Sequence, residues 1–291
     1  MKLNYLVLAI MLSTSVTANA AADEQQAVVS AKNTPSGAVW VTPTKVPLPV
    51  SQTALVPAQT FTPEQEARIQ ELTRSYLLAH PDILVDVSRK LEAQQQVQQL
   101  AAMTQAVLHH QDALLNDKST PSYGPTDAKV AFIEFFDYQC SVCARQEQVI
   151  ESLMKANPQV RYIFKEWPIF SQRWEPSMTA ARTGLQVWQQ KGADAYLAYH
   201  KALYATGHDE GKLTQADITN AAAQTGKLKG ENDEMQALLS ATDKLAQNLG
   251  LRGTPGMIVM PVNGATADNV TVIPGGADLG MLQSAIERAT R

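Results

Sequence analysis

Val130-Ala131-Phe132-Ile133-Glu134-Phe135-Phe136-Asp137-Tyr138-Gln139-Cys140-Ser141-Val142-Cys143 is the stretch from which the rest of the chain is best read. From Val130 to Phe136 it is apolar on both faces of an extended chain except at Glu134, the pattern of a central strand covered on both sides. A helix is predicted from Ser141 to about Ala156, then a second strand from Val160 to Phe164. The result is a β-α-β unit with two cysteines at its switch from strand to helix, where α/β folds place their reaction sites. A cysteine at the first turn of a helix faces unpaired backbone N–H groups and the positive end of the helix dipole, and both favour thiolate over thiol. Cys140 has that position. Cys143, one turn further in, is placed to attack a mixed disulfide formed at Cys140 and release its substrate.

These are the only two cysteines in the chain. As a staple they would do little, because closing so short a loop removes only about 2 kcal/mol of unfolded-state entropy, against about 3 kcal/mol for a 15-residue loop. A closed zinc site needs four ligands. The five histidines, at 80, 109, 110, 200 and 208, show no ligand spacing near the pair, so neither metal nor cofactor is expected. The pair could still serve as a soft site for Cu(I), making a copper-binding or copper-tolerance protein the alternative function; the lack of a Met- or His-rich tract argues against it. A purely structural adaptor would leave the pair idle.

Glu134 shares a strand face with Phe132 and Phe136, where an ionised carboxylate is costly without a partner. Lys165, at the end of the next strand, is the expected partner, and such a pair beneath the cysteines could move the proton each half of an exchange requires. In the alternative, both groups lie at strand ends in water. Gly253-Thr254-Pro255-Gly256 precedes a later strand; an ordinary X-Pro bond is cis in only about 5–6% of cases, so the segment alone favours trans.

Outward toward the C-terminus, residues from about Glu175 to Leu249 read as helical, with Met178, Ala181, Leu185 and Trp188 on one stripe and Leu238, Leu245 and Leu249 on another. Short strands at Met257 to Met260 and Val270 to Ile273 precede a closing helix marked by Leu279, Leu282, Ile286 and Ala289. The order is β-α-β, helical block, β-β-α.

Toward the N-terminus, Thr62-Pro63-Glu64-Gln65 resembles a helix start with a capping box, and the helix should reach about Ala79. His80-Pro81-Asp82 restarts a helix whose stripe of Ile83, Leu84, Val87 and Leu91 resumes at Leu100, Met103, Val107 and Leu108. Continuous to Leu115, it would be about 50 Å long, too long to lie on a small domain. Residues 61–116 are therefore read as a helical oligomerisation arm; packing on the chain's own domain is the alternative, and Gln94 to Gln96 a possible hinge. The turn-rich run Thr120 to Pro125 follows. Residues 21–60, with prolines at 35, 43, 47, 49 and 57, read as a flexible linker. Lys2, the apolar run Leu6 to Leu12 and the small residues ending Ala18-Asn19-Ala20 form a signal-peptide layout over residues 1–20, which implies the periplasm or an equivalent oxidising compartment.

Of 291 residues about 270 would remain after cleavage, enough for one large domain with an appendage. The formal net charge is −4, or −5 without Lys2, with no long run of either sign, so no nucleic-acid partner is expected.

Phe135 to Cys143, the long helical block and Gly253-Thr254-Pro255 together closely resemble the DsbA-like thiol:disulfide oxidoreductases over about residues 120 to 290. The resemblance implies an α/β thioredoxin fold over 121–291 with a large helical insertion at about 171–250. It also implies a cis proline at 255 lying against the cysteines, and a Thr254 backbone that pairs with an extended substrate segment. Glu134, Glu147 and Lys165 match charged residues near that family's active site. The stretch Tyr76 to Leu84 resembles the ScsC and Com1 branch, whose N-terminal region assembles trimers, while Ser141-Val142 departs from the Pro-His and Pro-Tyr dipeptides of those relatives. The implied protein is a disulfide interchange enzyme acting on cysteine-containing secreted proteins, with isomerase favoured and dithiol oxidase possible. It would be a homotrimer and would work with a membrane redox partner of DsbB or DsbD type.

Overall fold

In the computed structural model, which describes residues 61–230 and 234–291, Val130–Phe136 forms a strand (β2) buried at every position, as its two-sided apolar pattern requires. It pairs in parallel with β3 (Arg161–Glu166) on one side and antiparallel with β4 (Gly256–Pro261) on the other. The two-residue strand β1 (Ser122–Tyr123), in the segment expected to be only turns, closes the β3 edge, and β5 (Thr271–Pro274) closes the other. The sheet order is β1-β3-β2-β4-β5. Helix α4 (Ser141–Ala156) connects β2 to β3, and α9 (Leu279–Ala289) ends the chain with Asp278 as its N-cap. This is the α/β thioredoxin-like fold.

Between β3 and β4 lie α5 (Pro176–Lys191), α6 (Ala193–Ala205), α7 (Gln215–Ala223) and α8 (Met235–Asn248). The first three are the helical insertion. Thr214 caps α7 through a reciprocal capping box with Asp217, which fixes where the loop from α6 turns back into helix.

The sheet separates two apolar cores. Phe132, Phe136, Tyr162, Phe164, Met257 and Val259 face α4, α9 and the insertion, whose Tyr196, Tyr199 and Leu203 complete that core. Ala131, Ile133, Phe135, Ile163, Ile258 and Met260 face the other way. This alternation is the period-two pattern of a strand, and it assigns each polar residue of β2 and β3 to one core or the other.

The N-terminal helices are α1 (Pro63–Ala79), α2 (Asp82–His109) and α3 (Gln111–Leu115). Helix α2 runs without a break through Gln94 to Gln96, for 28 residues or about 42 Å, and stops at His110, short of the single helix expected to reach Leu115. Its final turns do not belong with the exposed arm. Met103 and Val107 of α2 and Leu114 and Leu115 of α3 are buried in the second core, against Ala131, Ile133 and Phe135. Helix α1 buries no residue. The expected signal peptide and linker lie outside the described residues.

Candidate active site

The turn from β2 into α4 is organised by Asp137. Its buried carboxylate accepts hydrogen bonds from the backbone N–H of Gln139 (2.8 Å) and Phe170 (2.9 Å) and from the Ser177 hydroxyl (2.7 Å). Burial raises its pKa, and the three donors oppose that rise by stabilising the anion. The same aspartate accepts the Cys140 N–H on its backbone carbonyl at 3.0 Å. Cys140 is thereby held as the N-cap of α4, with its sulfur facing the open end of the helix.

Both cysteines are free thiols. The Cys143 N–H donates to Cys140 Sγ at 3.4 Å, and the Cys140 thiol donates to the Thr254 carbonyl at 3.3 Å. The Thr254-Pro255 bond is cis, and its loop lies against Cys140 as the resemblance implied. The two thiols are driven in opposite directions. The Cys140 pKa is lowered to about 6, chiefly by its hydrogen bond with Cys143, against the opposing effect of burial and with further help from Thr254 and the N–H groups of Cys143 and Val142. Burial pushes Cys143 well up, and Cys140, as hydrogen-bond partner, and the neighbouring Glu134 add to the rise. Accessible area barely distinguishes them, at 5% for Cys140 and 1% for Cys143, so chemistry more than exposure separates their roles.

Lys165 is not the partner of Glu134. In the register Glu134 lies opposite Phe164, and Lys165 opposite Phe135, so the two side chains leave opposite faces of the sheet. The Lys165 ammonium donates to the Thr120 hydroxyl (2.7 Å), the Ala113 carbonyl (3.0 Å) and the Asp117 carboxylate (3.2 Å). It ties the segment after α2 to the sheet and is remote in function from the cysteines. Burial lowers its pKa and Asp117 opposes the change.

The acidic neighbour is Glu166, one residue further along β3. Its carboxylate accepts from Tyr196 (2.8 Å) and Tyr138 (3.1 Å). The Tyr138 hydroxyl also meets His200 Nδ1 at 3.2 Å, and His200 Nε2 meets Glu147 at 3.1 Å. Glu134 lies among these groups, its pKa raised well above the usual carboxylate range by burial first and then by Glu147, Cys140 and Glu166. Its surroundings thus favour the protonated carboxyl, beside a buried thiol whose own proton is hard to remove. Glu166 and His200 were missed in the sequence. Glu166 had the parity that Lys165 lacked, and His200 had no local signal, because its partner lies on α4, across the insertion.

Opposed thiol acidities are what thiol:disulfide exchange requires of an attacking and a resolving sulfur, and with the fold they place the chain among the thioredoxin-fold thiol:disulfide oxidoreductases. The thioredoxin family model matches residues 116–271, and the model described as the copper resistance protein ScsC N-terminal domain matches residues 65–98. The chain belongs to the DsbA-like thioredoxin family, with an ScsC-type N-terminal region. Among solved structures it is similar to BcfH of Salmonella enterica Typhimurium, at 41% identity over 78% of this chain and 97% of that one, with a TM-score of 0.68. Proteus mirabilis ScsC in a transitional conformation matches at 28% identity, 79% and 99% coverage, and a TM-score of 0.54. A periplasmic thioredoxin-like protein from Salmonella enterica serovar Typhimurium matches at 25% identity, 62% and 95% coverage, and a TM-score of 0.52. Comparison with curated proteins finds no significant match. Among the described residues, no cluster of three or more His, Cys, Asp or Glu suits a metal ion, and no helix is long and apolar enough to cross a membrane.

Proposed function

We propose that this protein is a periplasmic disulfide isomerase, with dithiol oxidation as its secondary capacity. The observation that carries the reading is the Cys140 thiol, lowered to about 6 at the mouth of α4 and in contact with the Thr254 backbone. Cys140 is the nucleophile that enters a mixed disulfide with a secreted protein, and Cys143 displaces that substrate. Thr254 and Pro255 form the ledge on which an extended substrate segment pairs. In its ionised form Glu134 accepts the Cys143 proton during release, and the acid so formed returns that proton during the reverse step; Lys165 takes no part. The preference for isomerisation rests on assembly. Apolar side chains at Ile69, Leu72 and Tyr76, and again at Leu84, Val87 and Leu91, are exposed at spacings of three and four residues, a stripe suited to pairing with other copies. A homotrimer built through this ScsC-type region would turn three active sites toward one substrate. A membrane partner of DsbD type would keep the pair reduced, and one of DsbB type would oxidise it.

Refolding of scrambled and of reduced test proteins, run side by side with the full mature chain, is the test. Faster recovery from the scrambled substrate than from the reduced one supports isomerase; activity on reduced substrate alone assigns oxidase. The copper alternative draws on the description of the family that matches residues 65–98. It requires Cu(I) to bind at Cys140 and Cys143, and titration of the reduced protein and a Cys140→Ser variant with Cu(I) tests it directly.

A further inference from the structure

The loop between α6 and α7 holds the only non-glycine residue with positive φ among the described residues, Glu210 at +47°. That conformation costs a glutamate free energy that a glycine would not incur, and it persists where surrounding contacts fix it. Here the hydrogen bonds of Glu210 and Gly211 lead to the cysteine motif. The Glu210 N–H donates to the Gln139 carbonyl at 3.0 Å, and the Gly211 N–H donates to Gln139 Oε1 at 2.7 Å. Gly211 has φ +93°, and a Cβ there would lie 2.6 Å from Trp174 Nε1, so the loop is packed as well as bonded. So held, the Glu210 carboxylate accepts the Ser141 hydroxyl at 2.6 Å. Ser141 is the residue between Cys140 and Val142, in the first turn of α4.

We propose that Glu210 is a positioning residue of the insertion that sets the redox equilibrium of the cysteine pair, by holding the Ser141 hydroxyl and a negative charge against the open end of α4. The inference rests on the oxidoreductase reading above. One helix end serves two anions. The Cys140 thiolate uses the positive end of α4, and a second carboxylate at that end makes the thiolate harder to form. A serine hydroxyl has one hydrogen to donate, and the bond to Glu210 takes it away from the sulfur. Both effects act against the reduced, thiolate form, so Glu210 makes the enzyme disulfide a weaker oxidant.

The experiment is equilibration of the mature protein with glutathione. Two glutathione thiols reduce the Cys140–Cys143 disulfide: the enzyme S–S bond breaks, the S–S bond of oxidised glutathione forms, and two electrons and the thiol protons pass to the enzyme pair. For Glu210→Gln the equilibrium constant for enzyme reduction should rise about two- to fivefold, and the thiolate absorbance of Cys140 should titrate at lower pH than in the wild type. Glu210→Gly relieves the backbone conformation, so it should fold at least as well and shift both readouts the same way. In a Ser141→Ala background the effect of Glu210→Gln should be smaller, and added salt should narrow the difference between wild type and Glu210→Gln. An unchanged equilibrium and titration in both Glu210 variants would overturn the inference while leaving the oxidoreductase reading intact. If glutathione forms no Cys140–Cys143 disulfide at all, both fall together.

Discussion

At the scale of single residues, the active site separates two proton problems. Cys140 must lose its proton easily, and Cys143 must lose its proton only when a substrate is waiting to leave. The Cys140 pKa of about 6 lies below its ordinary value of 9.0. A depressed acid pKa adds stability to the folded, reduced protein that is fully present above the unfolded-state value and is lost as pH falls through the folded one. The melting temperature of the reduced protein, relative to the oxidised one, should therefore rise from about pH 6 to about pH 8, below the range in which the raised Cys143 acts in the opposite sense; a flat difference would contradict the thiolate assignment. Iodoacetamide labelling of the reduced protein should mark Cys140 first, with a midpoint near pH 6. Glu134 answers the second problem. Burial holds its pKa up beside Cys143, so its ionised form is a base strong enough to take the thiol's proton, and Glu134→Gln should slow resolution of a Cys140 mixed disulfide by about 10²-fold while leaving Cys140 alkylation nearly unchanged. Equal loss in both steps would make Glu134 structural.

At the scale of elements, the insertion does more than cover the sheet. Helix α5 carries Gly184 in its interior, ordinarily a weak position for glycine. A Cβ there would fall 2.6 Å from Glu166 Oε1 and 3.3 Å from the Tyr199 ring, so the missing side chain is the space in which Glu166 meets Tyr196 and Tyr138. Gly184→Ala should destabilise the fold by about 1–3 kcal/mol through overpacking, despite alanine's better helix propensity, as measured by urea unfolding; a stabilised variant would show that the acid network yields readily. The legibility of the sequence follows the same division. Strand β2, helix α4 and the place of Cys140 at the helix mouth could be read because their signals are local: a two-sided apolar run, a helix start, a spacing. The pairing of Glu134 with Lys165 could not, because it was matched by charge across strands and one residue of register sends a side chain to the opposite core. Glu166 and His200 meet Tyr138, beside the cysteines, only in three dimensions. A carboxylate at a strand end and a histidine within the helical run of α6 both look, in sequence, like ordinary packing.

At the scale of the whole molecule, the N-terminal helices divide where burial begins. Exposed apolar positions continue as far as Val97, and Met103 is the first of the residues that complete the core beneath the catalytic sheet. The arm and the catalytic domain are thus joined within one helix, so a truncation reads out different physics on either side of that point. Removing residues 21–98 should take away the oligomerising stripe and leave Met103, Val107, Leu114 and Leu115 in place. The product should be a folded monomer by light scattering that still oxidises dithiols but recovers scrambled substrates poorly. Removing residues 21–115 should instead strip the core facing Ile133 and Phe135 and take from Lys165 its bond to Ala113. Each large apolar side chain lost from a core costs about 2–5 kcal/mol, and typical domains hold only about 5–15 kcal/mol in total, so this second product should unfold or aggregate. If instead the mature full-length chain is already monomeric at micromolar concentration, the exposed stripe of α1 and α2 serves no assembly, and the preference for isomerase over oxidase loses its support.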